Sequence, residues 1–290
     1  MPEPPPIRSY LYAPGSNPRV MEKALAAGAD AVILDLEDAV APEDKVAARD
    51  QVAAVIARAG AQPGAELHVR INRGPGGPDL DDLAAVTAPG LTGIRLPKIG
   101  SAAEVRTAAA ALDALERSAG MPPGTVLLYL SIETAAAALA AAELAAAPRV
   151  ARLVFGATDF LADIASPDAA DGPATLVARG GLVLASRAAG IGAPVDSVHT
   201  ALEDDAGLRR SARFARDLGF FGKSVIHPRQ IAAVHDVFTP SDEELAEARR
   251  VLDHAQAHGD GVSALAGEMI DAAVVARARR VVAMVQGSRG

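Results

Sequence analysis

Residues able to do chemistry recur at one kind of place in this chain: directly after a short apolar run. Residues 31–36 (AVILDL) lead into Glu37-Asp38. Residues 67–71 (LHVRI) carry Arg70, and 93–97 (GIRLP) lead into Lys98. Residues 126–132 (VLLYLSI) are followed by Glu133, and 152–155 (RLVF) by Gly156-Ala157-Thr158-Asp159. Residues 222–227 (GKSVIH) end at Pro228. Glu133 and Asp159 have no neighbouring His or Cys. An oxygen-only pair of this kind suits Mg²⁺, or Mn²⁺, rather than zinc. Glu37 and Asp38 would hold the waters of that cation. Arg70 adds a planar positive fork matched to a carboxylate or a developing oxyanion. A divalent cation beside an Arg is equipment for stabilising an enolate. Each residue also has a plainer reading. A carboxylate at a strand end is often a helix N-cap, and a strand Arg often snorkels to solvent. Four acids, one Arg and one Lys emerging together favour a functional rim.

The elements that must position these groups alternate. Two further β-like runs, 9–12 (SYLY) and 194–199 (PVDSVH), bring the total to eight. Helix-like stretches rich in Ala, Leu, Glu and Arg lie between them, at 18–27, 43–59, 102–118, 134–146, 176–189 and 205–218. Alternation of strand and helix implies a mostly parallel sheet. Eight such units fit an α/β protein with a (β/α)8 TIM barrel, whose sites lie at the C-terminal ends of the strands. A doubly wound open sheet is the rival, but no GxGxxG follows the first strand. After Pro228 the chain reads as helices only. Ser241 with Glu244 has capping-box spacing, a Gly-rich break spans 258–267, and a helix runs over 271–285. The division expected is a catalytic barrel over 1–238 and a helical extension over 239–290 that packs on a neighbour or lids the site. Residues 72–79 (NRGPGGPD) must be a loop, and 166–173 (SPDAADGP) read as a mobile lid.

Composition narrows the class. The 290 residues are 50% hydrophobic and 3% aromatic, which excludes disorder. Lys+Arg 28 against Asp+Glu 36 gives −8, which argues against a nucleic-acid partner. The absence of Cys removes disulfides, thiolate zinc sites and cysteine nucleophiles. The N-terminus has no secretory h-region and no run suits a membrane helix, so a cytoplasmic protein is expected. Three apparent motifs fail. Gly222-Lys223-Ser224 lacks the upstream Gly of a phosphate loop, because Asp217 stands there. His254 and His258 sit on a charged helix outside any HExxH pattern. A Schiff-base role for Lys98 is less favoured than a metal route.

Seven segments in order, AVILDLEDAV (31–40), VRIN (69–72), LPK (96–98), SIET (131–134), FGATD (155–159), GKSVIHP (222–228) and GEMID (267–271), resemble the citrate lyase β-subunit-like and malyl-CoA/citramalyl-CoA lyase family, within the HpcH/HpaI aldolase superfamily. The resemblance implies a barrel, commonly a trimer or built from trimers, with Mg²⁺. It implies reversible cleavage of a 3-hydroxyacyl-CoA thioester, such as malyl-CoA or citramalyl-CoA, into acetyl-CoA and an α-keto acid. On it, Glu133 and Asp159 would be the metal ligands and Arg70 would contact the keto-acid oxygen. Asp271 would be an acid/base reaching the next subunit's site. Glu37 and Asp38 join the catalytic set. Backbone N–H groups at Gly156, Ala157 and Thr158 would bind the substrate carboxylate, and Arg8, Arg19 and Lys98 would meet CoA. Thr158 stands where many relatives carry Glu, and Gly180-Gly181 where many carry an Arg-Ser pair; both bear on the substrate. The alternatives are a citrate lyase β-type subunit acting on an acyl-carrier-protein thioester, a CoA-independent aldolase, and a non-catalytic keto-acid and metal-binding barrel.

Overall fold

The computed structural model describes residues 7–59, 64–258, 262–265 and 267–286. Seven strands form one parallel sheet: β1 (Ser9–Pro14), β2 (Ala31–Asp35), β3 (Glu66–Arg70), β4 (Gly93–Leu96), β5 (Leu127–Ile132), β6 (Val150–Phe155) and β7 (Lys223–Val225). Their order is β6-β5-β4-β3-β2-β1-β7, so β6 and β7 are the two edges. The expected strand over 194–199 shrinks to Val195 and Asp196, which bridge both edges. Phe155 N–H donates to the Val195 carbonyl at 2.9 Å, and Ser224 N–H donates to the Asp196 carbonyl at 2.9 Å. These bonds close the ring as a (β/α)8 barrel. Residues of β2 and β6 are buried throughout, as strands covered on both faces must be.

Alternation decides what fills the ring. Tyr10, His68 and Tyr129 point inward and meet at ring-centroid distances of 4.3–6.1 Å. Gly93 leaves room for them, since a Cβ there would stand 2.6 Å from His68 and 2.8 Å from Tyr129. The next inward positions along β1, β3, β4 and β5 are Tyr12, Arg70, Arg95 and Ser131, nearer the strand C-termini. Local chemistry turns each strand into its helix. Asp79 caps α3 (Leu80–Val86), Ser101 caps α4 (Ala102–Ser118) and Thr134 caps α5 (Ala135–Leu139), each through its side-chain oxygen. The alanine-rich stretch 134–146 is not one helix. Ala140 leaves helical geometry and separates α5 from α6 (Ala141–Ala145). On the outer face, α8 (Leu176–Ala189) packs on both.

The chain divides into two compact units, Ile7–His235 and a second from Asp236 onward. In the second, α11 (Asp242–His258) and α12 (Ala272–Gln286) share a small core of Ala248, Val251, Ala255, Ile270, Val275 and Ala278. The capping box forms: Ser241 N–H donates to Glu244 at 2.8 Å, and Glu244 N–H donates to Ser241 at 3.1 Å. The helices-only expectation is corrected by an antiparallel hairpin, Ser263–Leu265 with Glu268–Ile270. Its three-residue strands were hidden because Gly267, at φ 89°, reads equally as a helix break. Among the described residues no helix is long and apolar enough to cross a membrane.

Candidate active site

A cavity of about 350 Å³ opens at the C-terminal ends of the strands, lined among others by Tyr12, Asp35, Asp38, Arg70, Glu133, Gly156, Thr158 and Asp159. Arg70, the last residue of β3, lays its fork on Asp35, the last residue of β2. Nε and Nη2 each donate to a carboxylate oxygen at 2.6 Å. The strand register places Asp35 opposite Arg70. Asp35 is 1% exposed and also accepts the N–H groups of Glu37 and Ala39, at 3.0 Å each. The third arm of Arg70, Nη1, lies 3.0 Å from Glu37 and 3.1 Å from Asp38. Its guanidinium stands 5.0 Å over the Tyr12 ring. Burial disfavours its charge, yet the Asp35 carboxylate more than compensates and its pKa is raised. Asp35 was missed in the sequence, where it reads as part of the apolar run AVILDL. A lone carboxylate inside such a run was the available signal.

Lys98 follows β4 with φ 47°, a left-handed conformation rare for a side-chain-bearing residue. That turn aims its N–H at Glu133 Oε2, 3.0 Å away, and its Nζ at Glu37, 2.9 Å away. Nζ also approaches Asp159 to 4.0 Å. Burial opposes the ammonium, but Glu37 outweighs it and the pKa is pushed up to about 12. Glu37 and Asp38 are thus engaged by Arg70 and Lys98.

Glu133 is fitted against backbone. A Cβ on residue 156 would lie 2.3 Å from Glu133 Cγ, so only glycine there lets this carboxyl lie where it does. Burial, then the nearby charges of Glu37 and Asp159, push its pKa up to about 7. Asp159, in the first turn of α7 (Ala157–Asp163), is half-exposed. Among the described residues no three Asp, Glu or His side chains converge as a metal cluster. Glu133 and Asp159 supply two hard oxygens at a site crowded with negative charge. That fits a cation such as Mg²⁺, which takes one or two carboxylates and leaves the rest to water and substrate.

Arg8 and Arg19 do not line this cavity. Arg8 is the clear correction. It precedes β1 and pairs with Asp30, which precedes β2, through contacts of 2.7–2.9 Å. Both lie at the N-terminal ends of their strands, opposite the cavity, so Arg8 does not stand at the mouth. Arg19 is exposed on α1 (Pro18–Leu25), on the loop side that follows β1. Lys223 is buried on Asp196 and Ser211, as no phosphate-loop lysine is. Within the expected lid, Asp168 accepts N–H groups from Ala169 and Ala174, and Arg179 donates to the Ala170 carbonyl at 3.0 Å. Asp271 belongs to the second unit and caps α12, accepting the Val274 N–H at 2.9 Å.

Comparisons with known proteins cover nearly the whole chain. The family described as HpcH/HpaI aldolase/citrate lyase matches residues 8–228, and one described as C-C bond lyase of the TIM-barrel fold matches 183–284. A (3S)-malyl-CoA thioesterase of Cereibacter sphaeroides is 36% identical over 97% of this chain and 95% of its own. The citrate lyase β subunit of Leuconostoc mesenteroides is 35% identical over 97% and 94%. A crystal structure of Mycobacterium tuberculosis CitE with magnesium, acetoacetate and coenzyme A superimposes with TM-score 0.78, at 34% identity over 99% of each chain.

Proposed function

We propose that this chain, a member of the HpcH/HpaI aldolase/citrate lyase family, cleaves and re-forms the carbon–carbon bond of a 3-hydroxyacyl thioester such as malyl-CoA or citramalyl-CoA. The products are acetyl-CoA and an α-keto acid (glyoxylate, pyruvate or oxaloacetate). The observation that carries the reading is the meeting of Glu133, Asp159 and Arg70 on one cavity at the strand C-termini. The magnesium, acetoacetate and coenzyme A bound by the tuberculosis relative support it.

Glu133 and Asp159 would hold Mg²⁺, with Mn²⁺ able to substitute. When bound, the cation supplies Lewis-acid stabilisation of charge on the keto-acid oxygen. Arg70, locked by Asp35, presents one fixed direction of positive charge to the same oxygen and needs no reorganisation to do so. Lys98 neutralises Glu37 and keeps Glu133 oriented through its backbone N–H. In the cleavage direction a rim carboxylate, Asp38, takes the proton of the substrate hydroxyl, and the bond from the hydroxyl-bearing carbon to the thioester's α-carbon breaks. The electron pair moves onto the α-carbon of the thioester, and Asp271 protonates that carbon. We assign Asp271 to the site of a neighbouring subunit in a trimer or hexamer, and the span 239–290 to the extension that delivers it. Exposed Val177 and Leu184, one helical face of α8, support assembly.

Purified protein is given malyl-CoA and citramalyl-CoA with and without Mg²⁺, and the products are separated. Acetyl-CoA with a keto acid, only with Mg²⁺ and lost in Glu133→Ala, is the expected result. Free CoA with the hydroxy acid would instead make it a thioesterase, as the Cereibacter relative is named. No turnover of either ester would move the reading to an acyl-carrier-protein thioester, as for a citrate lyase β subunit, or to a binding role.

A further inference from the structure

Arg95 sits mid-strand on β4, faces the barrel interior and is fully buried. Its Nη1 donates to the Tyr12 hydroxyl and to Ser224 Oγ, both at 3.3 Å. Its guanidinium lies 4.7 Å over the Tyr10 ring and 5.4 Å over the Tyr12 ring. Nε and Nη2 have no hydrogen-bond partner, and among the described residues no carboxylate lies within ion-pair distance. Three other arginines have a carboxylate: Arg70, the partner of Arg95 in the strand register, has Asp35, Arg179 has Asp196 and Arg149 has Glu116. Buried Arg152 donates to the Ala193 carbonyl at 2.9 Å and, like Arg95, has no carboxylate partner among the described residues. A buried guanidinium without a counter-charge is costly, and ring faces offset only part of that cost.

The direction of the two hydrogen bonds says what the arrangement offers. Guanidinium only donates. The Tyr12 and Ser224 oxygens therefore accept from Arg95, and their own hydrogens must point elsewhere. Among the described residues neither hydroxyl has another hydrogen-bond partner, and both residues line the cavity. The cavity floor thus carries two O–H donors backed by one uncompensated positive charge. An anion placed there would satisfy the donors and supply the missing counter-charge.

We propose that Arg95, acting through Tyr12 and Ser224, forms a second-carboxylate subsite that selects an α-keto acid carrying a distal carboxylate over one ending in hydrogen or methyl. The inference rests on the keto-acid reading above, in which the first carboxylate and the keto oxygen lie toward Glu133, Asp159 and Arg70. Tyr12 and Ser224 touch the ligand; Arg95 is a positioning residue that orients and polarises them.

The test is calorimetric titration of the full-length protein in Mg²⁺ with freshly dissolved oxaloacetate and with pyruvate. Wild type is expected to bind oxaloacetate at least about tenfold more tightly, the scale set by leaving buried polar groups unpaired. Arg95→Met is expected to bring the ratio to within about twofold while pyruvate affinity changes by less than about threefold. Arg95→Lys should keep part of the preference, which a purely structural role does not require. Tyr12→Phe and Ser224→Ala should each lower the ratio, and they decide the matter if Arg95→Met does not fold. An unchanged ratio in these variants, or equal binding of both acids by wild type, overturns the subsite alone. Binding of neither acid overturns the keto-acid reading together with it.

Discussion

Arg70 is held at both edges, and that hold decides what it offers a substrate. Two 2.6 Å bonds to Asp35 fix the plane of its fork, leaving Nη1 toward the acids of the rim. Asp35→Asn keeps the shape but removes the charge that locks it. A fall in kcat/KM of at least about tenfold is expected, as for Arg70→Lys, because a point charge on a flexible stem cannot replace a planar fork. Steady-state kinetics alongside circular dichroism checks this, and a wild-type rate in both would take Arg70 away from the reacting centre. Glu133 offers a second prediction, of opposite sign for stability and function. Its carboxyl titrates near 4.5 when unfolded and about 7 when folded. The fold therefore favours the protonated form, and the resulting stability declines as pH rises from 4.5 through 7. At pH 8 the buried carboxylate costs the metal-free protein about 3 kcal/mol by that difference. Glu133→Gln should raise the urea midpoint of the metal-free protein at pH 8 and abolish stabilisation by Mg²⁺. A lower midpoint would mean the charge is compensated by groups around it.

The strand ends were legible as elements because each polar group interrupts an apolar run at its C-terminal border. That pattern located Glu133, Asp159, Arg70 and Lys98 together. It could not locate Asp35 or Arg95, which lie inside their runs and are polar only on the inward face. Nor could it show that the expected run 194–199 narrows to Val195 and Asp196, since two residues joined to both edges leave no periodicity to read. The same inward layer makes a pH prediction. His68 is fully buried, its Nε2 lies 3.0 Å from Glu66, and burial holds its pKa below the usual value. The folded state thus keeps it neutral, while the unfolded imidazole titrates near 6.5. This contribution is fully present above pH 6.5 and is lost as pH falls below it. Urea unfolding at pH 7.5 and 5.5 should show a smaller acid loss in His68→Gln than in wild type, by up to about 1.4 kcal/mol per pH unit. An identical loss would show that another group sets the acid limit.

At the scale of the molecule, two compact units divide the proposed chemistry: Arg70 belongs to one and Asp271 to the other. Asp271 is proposed on resemblance alone, because a carboxylate before a helix reads first as a cap, and it does cap α12. Assembly would let one subunit complete the site of the next. The outer face of α8 has the character such assembly requires. Val177 is 86% exposed and Leu184 73%, one above the other at a spacing of two turns, and Gly180 and Gly181 between them meet nothing that a Cβ would strike. Leu184→Glu is expected to lower the solution mass measured by light scattering; an unchanged mass would place any contact elsewhere. The sharper test joins both units. Arg70→Ala and Asp271→Ala subunits, each inactive alone, should regain part of the wild-type rate after mixing under conditions where subunits exchange. In a trimer with cyclic contacts, a mixed assembly contains a site formed by an intact Arg70 and a neighbour's intact Asp271. A site built within one chain has no such combination, so verified exchange without recovered activity would return Asp271 to its own subunit.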